Sequence, residues 1–151
     1  MLKKVVNNIS KLSVNSLAQK VLKESGLSRF IIDLNRSEQL FEEGVGVDGK
    51  VVGKYTYATQ VFSQGVSGKG FPKNAGDPFN FYNTGNMFNS FSLRIENDGF
   101  IINADTTDLI EGSRTIKSDK QILGLTDEST QELTQKIIPF VAKEVRKQIL
   151  G

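Results

Sequence analysis

The chain contains neither histidine nor cysteine. Without histidine, the commonest general base, proton shuttle and zinc ligand is missing. Without cysteine, no disulfide framework and no thiolate metal site can be proposed. Long apolar runs are missing too. The opening Met1-Leu2-Lys3-Lys4-Val5-Val6-Asn7-Asn8 never reaches the roughly 7–15 apolar residues of a secretory signal. Nothing approaches the ~18 apolar residues of a membrane helix. The protein is therefore expected to be soluble and cytosolic where it is made, and the sequons at Asn8 and Asn35 carry no meaning. Charge of one sign is scarce. The net value of +2 is too small to dictate partners, although Lys3, Lys4, Lys11, Lys20, Lys23, Arg29 and Arg36 outweigh Glu24 and Asp33 early in the chain.

What remains suits one domain spanning residues 1–151. A chain of this length buries roughly 70% of its unfolded surface, enough for a core without staples. Its 38% hydrophobic and 24% charged content lie in or near the globular range. Leu2, Val5, Val6, Ile9 and Leu12 recur at helical spacing. The pattern stumbles at Ser13-Val14-Asn15-Ser16, resumes with Leu17, Ala18, Val21 and Leu22, and stops at Gly26, a plausible C-cap. Residues 1–26 are thus a helical N-terminal segment, with its basic side chains read as a solvated face. Phe30-Ile31-Ile32-Asp33-Leu34 fits a strand or a continued helix. Ser37 opens a short helix with Leu40 and Phe41 inward, ended by Gly44.

From Gly44 to Gly76 periodicity fades. Asp48-Gly49 is a turn signal, and residues 63–76 read as a long mobile loop. The window Asp77 to Phe91 is rich in aromatics, with Thr84 placed to cap a short helix that turns Met87, Phe88 and Phe91 inward. Leu93 and Ile95 alternate with polar residues, and Phe100-Ile101-Ile102 follows Asp98-Gly99. This predicts a hairpin near residues 92–104. Thr106 to Lys120 is polar and irregular. Thr126-Asp127-Glu128 starts a last helix in which Leu133, Ile137, Phe140, Val141, Val145 and Ile149 follow at helical spacing. Pro139 either kinks that helix or starts a new one. The fold class is α+β: N-terminal helix, small antiparallel sheet, C-terminal helix.

Candidate chemistry is thin. Gly44-Val45-Gly46-Val47-Asp48-Gly49-Lys50-Val51 satisfies G-x-x-x-x-G-K, but Val51 supplies no hydroxyl for magnesium and no helix is predicted to follow. It reads as a turn. Asp105, Asp108 and Glu111 are an acidic cluster of the kind that polar loops leave solvated. The run Phe79 to Tyr82 beside Lys69 and Lys73 has the ingredients to stack on single-stranded nucleic acid. Phe71, Phe79 and Phe81 would equally fill a core or a subunit interface. A sequence pI near 8.8 does not by itself signal nucleic-acid binding. No enzymatic activity, cofactor, metal or small-molecule substrate is expected.

Two segments carry a resemblance. Tyr82-Asn83-Thr84-Gly85-Asn86-Met87-Phe88-Asn89-Ser90-Phe91, followed by the hairpin, is similar to the "threonine-glycine, large apolar residue, serine" stretch of the bacteriophage virion-morphogenesis family. Ile122-Leu123-Gly124-Leu125-Thr126-Asp127-Glu128-Ser129 resembles that family's Leu-Gly-Leu segment before its C-terminal helix. More weakly, Phe41 to Thr59 is also similar. The family comprises tail-completion and head–tail joining proteins. The resemblance implies copies arranged in a ring between head connector and tail, located in the virion neck, with passive contact to exiting DNA. Thr84, Gly85, Met87, Ser90, Phe91, Leu123, Gly124 and Leu125 would then be determinants of the fold. Candidate contact surfaces are the 63–76 loop, the group Phe71, Phe79, Phe81, Tyr82, Lys69 and Lys73, and the N-terminal helix.

Overall fold

The computed structural model describes residues 14–23, 26–65, 73–97, 99–112 and 115–150. It is a mixed helix-and-strand fold with a two-stranded antiparallel sheet and a C-terminal helix. In order, α1 is Val14–Leu22 and α2 is Leu27–Asp33, which continues as a π-helix over Leu34–Glu43. Next come α3 (Tyr57–Gly65), α4 (Asn86–Asn89), β1 (Ser92–Glu96) and β2 (Gly99–Asn103). Helix α5 (Thr107–Gly112), a 3-10 turn (Asp119–Gln121) and α6 (Asp127–Leu150) complete the chain.

The hairpin forms as its alternation predicts. Leu93 pairs with Ile102 and Ile95 with Phe100, one face toward the core, while Arg94 opposite Ile101 points outward. Gly99 is Glu96's partner inside the ladder, so it is a strand residue and not the turn. Leu22, Ile31, Leu34, Ile102 and Leu133 form one core cluster. A second joins Leu40, Phe81, Ile116 and Ile122. Phe91 and Leu123 pack against both.

Several elements depart from the sequence reading. Residues 1–13 of the predicted N-terminal helical segment lie outside the described residues; helix α1 already covers Val14 to Ser16 of the predicted stumble, and Lys20 is not merely solvated: it pairs with Glu144 of α6. Gly26 (φ 92°) separates α1 from α2, but as the residue in front of α2. Ser37 opens nothing, because α2 and the π-helix already run past it. The five-residue spacing of π hydrogen bonds matches the buried pairs Leu34 with Gln39 and Asn35 with Leu40. Gly44 (φ 67°) ends this helix as expected. An added Cβ there would also lie 2.4 Å from the Phe79 carbonyl, so the site tolerates only glycine.

The π-helix then pins the Leu-Gly-Leu segment. Asn35 donates to the carbonyls of Ile122 (2.9 Å) and Gly124 (2.7 Å), and Gln39 donates to Gly124 (3.1 Å). The Gln39 side-chain oxygen in turn accepts the Thr126 N–H at 3.1 Å. Gly124 passes so close to Val47 that a Cβ would sit 3.2 Å from its methyl. Thr126 caps α6 by accepting the Ser129 N–H at 3.1 Å. The helix carries on through Pro139, which stands exposed on its outer side.

Candidate association surface

The stretch expected to be irregular contains a helix. Thr56 starts α3: its hydroxyl accepts the Thr59 N–H at 3.2 Å and its carbonyl accepts the Gln60 N–H at 3.1 Å. Ser63 to Gly65 therefore belong to this helix and not to a mobile loop. Residues 73–76 form a turn tied back to it, the Ala75 N–H donating to Gln60 Oε1 at 2.9 Å. Lys69 and Phe71 lie outside the described residues.

Beneath α3 the backbone of residues 53–55 runs antiparallel to 76–79, closed by Tyr55 N–H to the Asp77 carbonyl and Phe79 N–H to the Gly53 carbonyl. The Phe79 ring lies against Gly53 and 5.0 Å from the Tyr55 ring. The Tyr55 hydroxyl donates to Asn80 Oδ1 at 2.7 Å, and burial raises its pKa above the ordinary phenol value. Lys73 lays its ammonium 5.8 Å from the same ring, and burial lowers its pKa. This platform fixes the base of α3. The outer face is left apolar: Tyr57 and Phe62 are each 74% exposed and Val61 is 50% exposed. Tyr57 and Val61, at i and i+4, are neighbours on the helix surface, and Phe62 stands about 140° around the axis from Tyr57.

Of the aromatic run that fits a core or an interface equally, Phe81 turns inward. Phe81 is 6% exposed and sits in the second core cluster at φ 53°, a strained conformation for a bulky residue. That turn sends Phe79 toward Tyr55 and Tyr82 onto Phe41 and Phe88, with ring centroids 6.3 and 5.4 Å away. Phe81 therefore presents no side-chain surface to a partner, while Phe79 and Tyr82 are half-buried. Lys73 stacks its ammonium over the Tyr55 ring.

The motif residues serve the fold. Gly85, not Thr84, is the N-cap of α4; the Thr84 hydroxyl accepts the Asn86 N–H at 3.3 Å instead. Met87, Phe88 and Phe91 face the core clusters. Ser90 donates to the Met87 carbonyl (2.7 Å) and accepts the Asp105 N–H (2.8 Å), locking α4 to the exit of β2. Leu125 packs on the first cluster.

The acidic cluster has a local task. Asp105 accepts the Thr107 N–H at 3.2 Å at the start of α5, and this hydrogen bonding lowers its pKa. Asp108 is exposed. The G-x-x-x-x-G-K segment closes a bridge between Val45 and Val51, with Asp48 accepting the Lys50 N–H at 3.1 Å. No helix starts there to receive a phosphate. Among the described residues no helix is long and apolar enough to cross a membrane.

The exposed face of α3 escaped sequence reading. Its one signal was Thr56 ahead of Tyr57, Val61 and Phe62, a cap followed by apolar residues at helical spacing. No family model, curated protein or solved structure matches the chain.

Proposed function

We propose that this protein is a structural subunit of a tailed-phage neck or tail-completion assembly, acting through association with its own copies and with head-connector and tail proteins. The observation that carries the reading is the apolar face of α3. Exposed aromatic and aliphatic side chains on a capped, tethered helix support the reading of a protein contact. Tyr57 and Phe62 are of the aromatic types enriched in such contacts. The similarity of the Tyr82–Phe91 and Ile122–Ser129 segments to the virion-morphogenesis family supplies the context. A closed ring has heterologous contacts, so each copy offers two different surfaces.

Stacking on single-stranded nucleic acid loses support, because Phe81 and its neighbours are engaged with one another. Immunodetection in purified particles, with electron microscopy to locate the subunit, tests the proposal. The expected result is a ring of label at the neck. Particles that lack the chain would overturn it.

A further inference from the structure

Two groups of exposed, like-signed charges stand apart on the described molecule. Glu38, Glu42 and Glu43 of the π-helix gather with Glu132 of α6, all exposed. Glu38 is held above its ordinary pKa, by desolvation first and then by Glu132, Glu42, Glu43 and Asp33. At the other end of α6, Lys143, Arg146 and Lys147 join Pro139, Ala142 and Leu150 around a shallow groove of about 440 Å³. The one acid in that half of the helix, Glu144, faces inward onto Lys20. Among the described residues, none of these outward charges joins an ion pair.

Local helix electrostatics account for only part of this. The macrodipole favours Asp127 and Glu128 in the first turn of α6 and Lys147 in its last. It disfavours Glu42 and Glu43, which close the π-helix at its negative end. Nor do the two patches neutralise each other within one molecule. Glu132 and Arg146 are separated by about 21 Å of helix rise, against a screening length of about 8 Å at physiological salt.

We infer that the basic, Leu150-edged groove of α6 receives the Glu38–Glu42–Glu43–Glu132 surface of a second copy, head to tail. The inference rests on the proposal that the chain is a self-associating subunit, and it names the charged contact. Where the basic patch of one copy meets the acidic patch of the next, the contact is heterologous, and such contacts make a ring when their rotation closes and an open filament when it does not. Ala142, Pro139 and Leu150 add apolar area between the cations. Charge complementarity of this type fixes register and speeds encounter.

The test is charge reversal on the full chain, read by analytical ultracentrifugation with circular dichroism to monitor folding. One variant carries Lys143→Glu, Arg146→Glu and Lys147→Glu; the other carries Glu42→Lys, Glu43→Lys and Glu132→Lys. Each alone is expected to weaken self-association on the order of a hundredfold. An equimolar mixture of the two, and a chain carrying both sets, are expected to regain it. The unaltered chain is expected to dissociate as salt rises, a measurement independent of whether any variant folds. Association indifferent to salt and to both reversals overturns the contact while leaving the assembly proposal standing. Loss of oligonucleotide binding on reversal of the basic set, with self-association intact, also overturns it, assigning the cations to nucleic acid. Rescue by the mixture in a chain absent from phage particles upholds the contact and removes the virion reading.

Discussion

Gln39 shows how one buried side chain can decide the position of a distant segment. It is an uncharged group on a helix, yet it donates to the Gly124 carbonyl and accepts the Thr126 N–H across most of the chain. Replacing it with methionine keeps the length and the apolar stem but strands a buried donor. Gln39→Met is expected to cost about 1–3 kcal/mol, seen as a lower denaturant midpoint with an unchanged slope. Gly44 makes the complementary point about backbone. A Cβ at φ 67° costs roughly 1–2 kcal/mol on its own, and here it also collides with the Phe79 carbonyl. Gly44→Ala should therefore destabilise by about 2 kcal/mol or more, measured by thermal or denaturant unfolding. A cost under about 0.5 kcal/mol would show that the chain at Pro78 and Phe79 yields easily.

At the level of elements, α3 differs from the others in what it buries. Tyr57, Val61 and Phe62 contribute little to the core, so removing them should scarcely alter the monomer. The double change Tyr57→Ser and Phe62→Ser is expected to shift stability by within about 0.5 kcal/mol while weakening association. Unfolding and sedimentation measured on the same variant separate the two effects. The same property explains why this helix was illegible in the sequence. Amphipathic periodicity reports burial, and α3 turns its apolar side away from the core, amid glycines that read as loop. The hairpin was legible because Leu93, Ile95, Phe100 and Ile102 alternate on one buried face. The long α6 was legible because Thr126 caps it and Leu133 and Ile137 repeat at helical spacing. The π-helix was not. Its five-residue buried pairs include the polar Asn35 and Gln39, whose partners come from Ile122 to Thr126, far along the chain. The aromatic run stayed undecided for a related reason: aromatics are equally at home in a core and in an interface. Only the turn at Phe81, which no local rule anticipates in a bulky residue, sends that side chain inward.

On the scale of the whole molecule, the acids of the chain do opposite things to folding. The Lys20 ammonium holds Glu144, with a side chain only 7% exposed, below its ordinary carboxylate pKa of 4.5. Its contribution is present above 4.5 and is lost as pH falls through the lower, folded-state value. Glu144→Gln should flatten that acid limb of a stability-against-pH curve. Glu38 works the other way. Its folded-state pKa is raised, so its charged form opposes folding at neutral pH. That opposition is relieved as pH falls through the raised value toward 4.5. Two consequences follow for a chain kept monomeric by high dilution. Stability should first rise on mild acidification and then fall below 4.5 as Glu144 takes up its proton. Glu38→Gln should remove the first rise, increasing stability at neutral pH without changing the later fall. A denaturant midpoint that drops monotonically from neutral pH in the unaltered chain would refute this ordering. Glu38, whose charge works against the folded monomer, sits among acids on a molecule that carries a basic groove at the far end of α6, the pattern that association between copies would resolve.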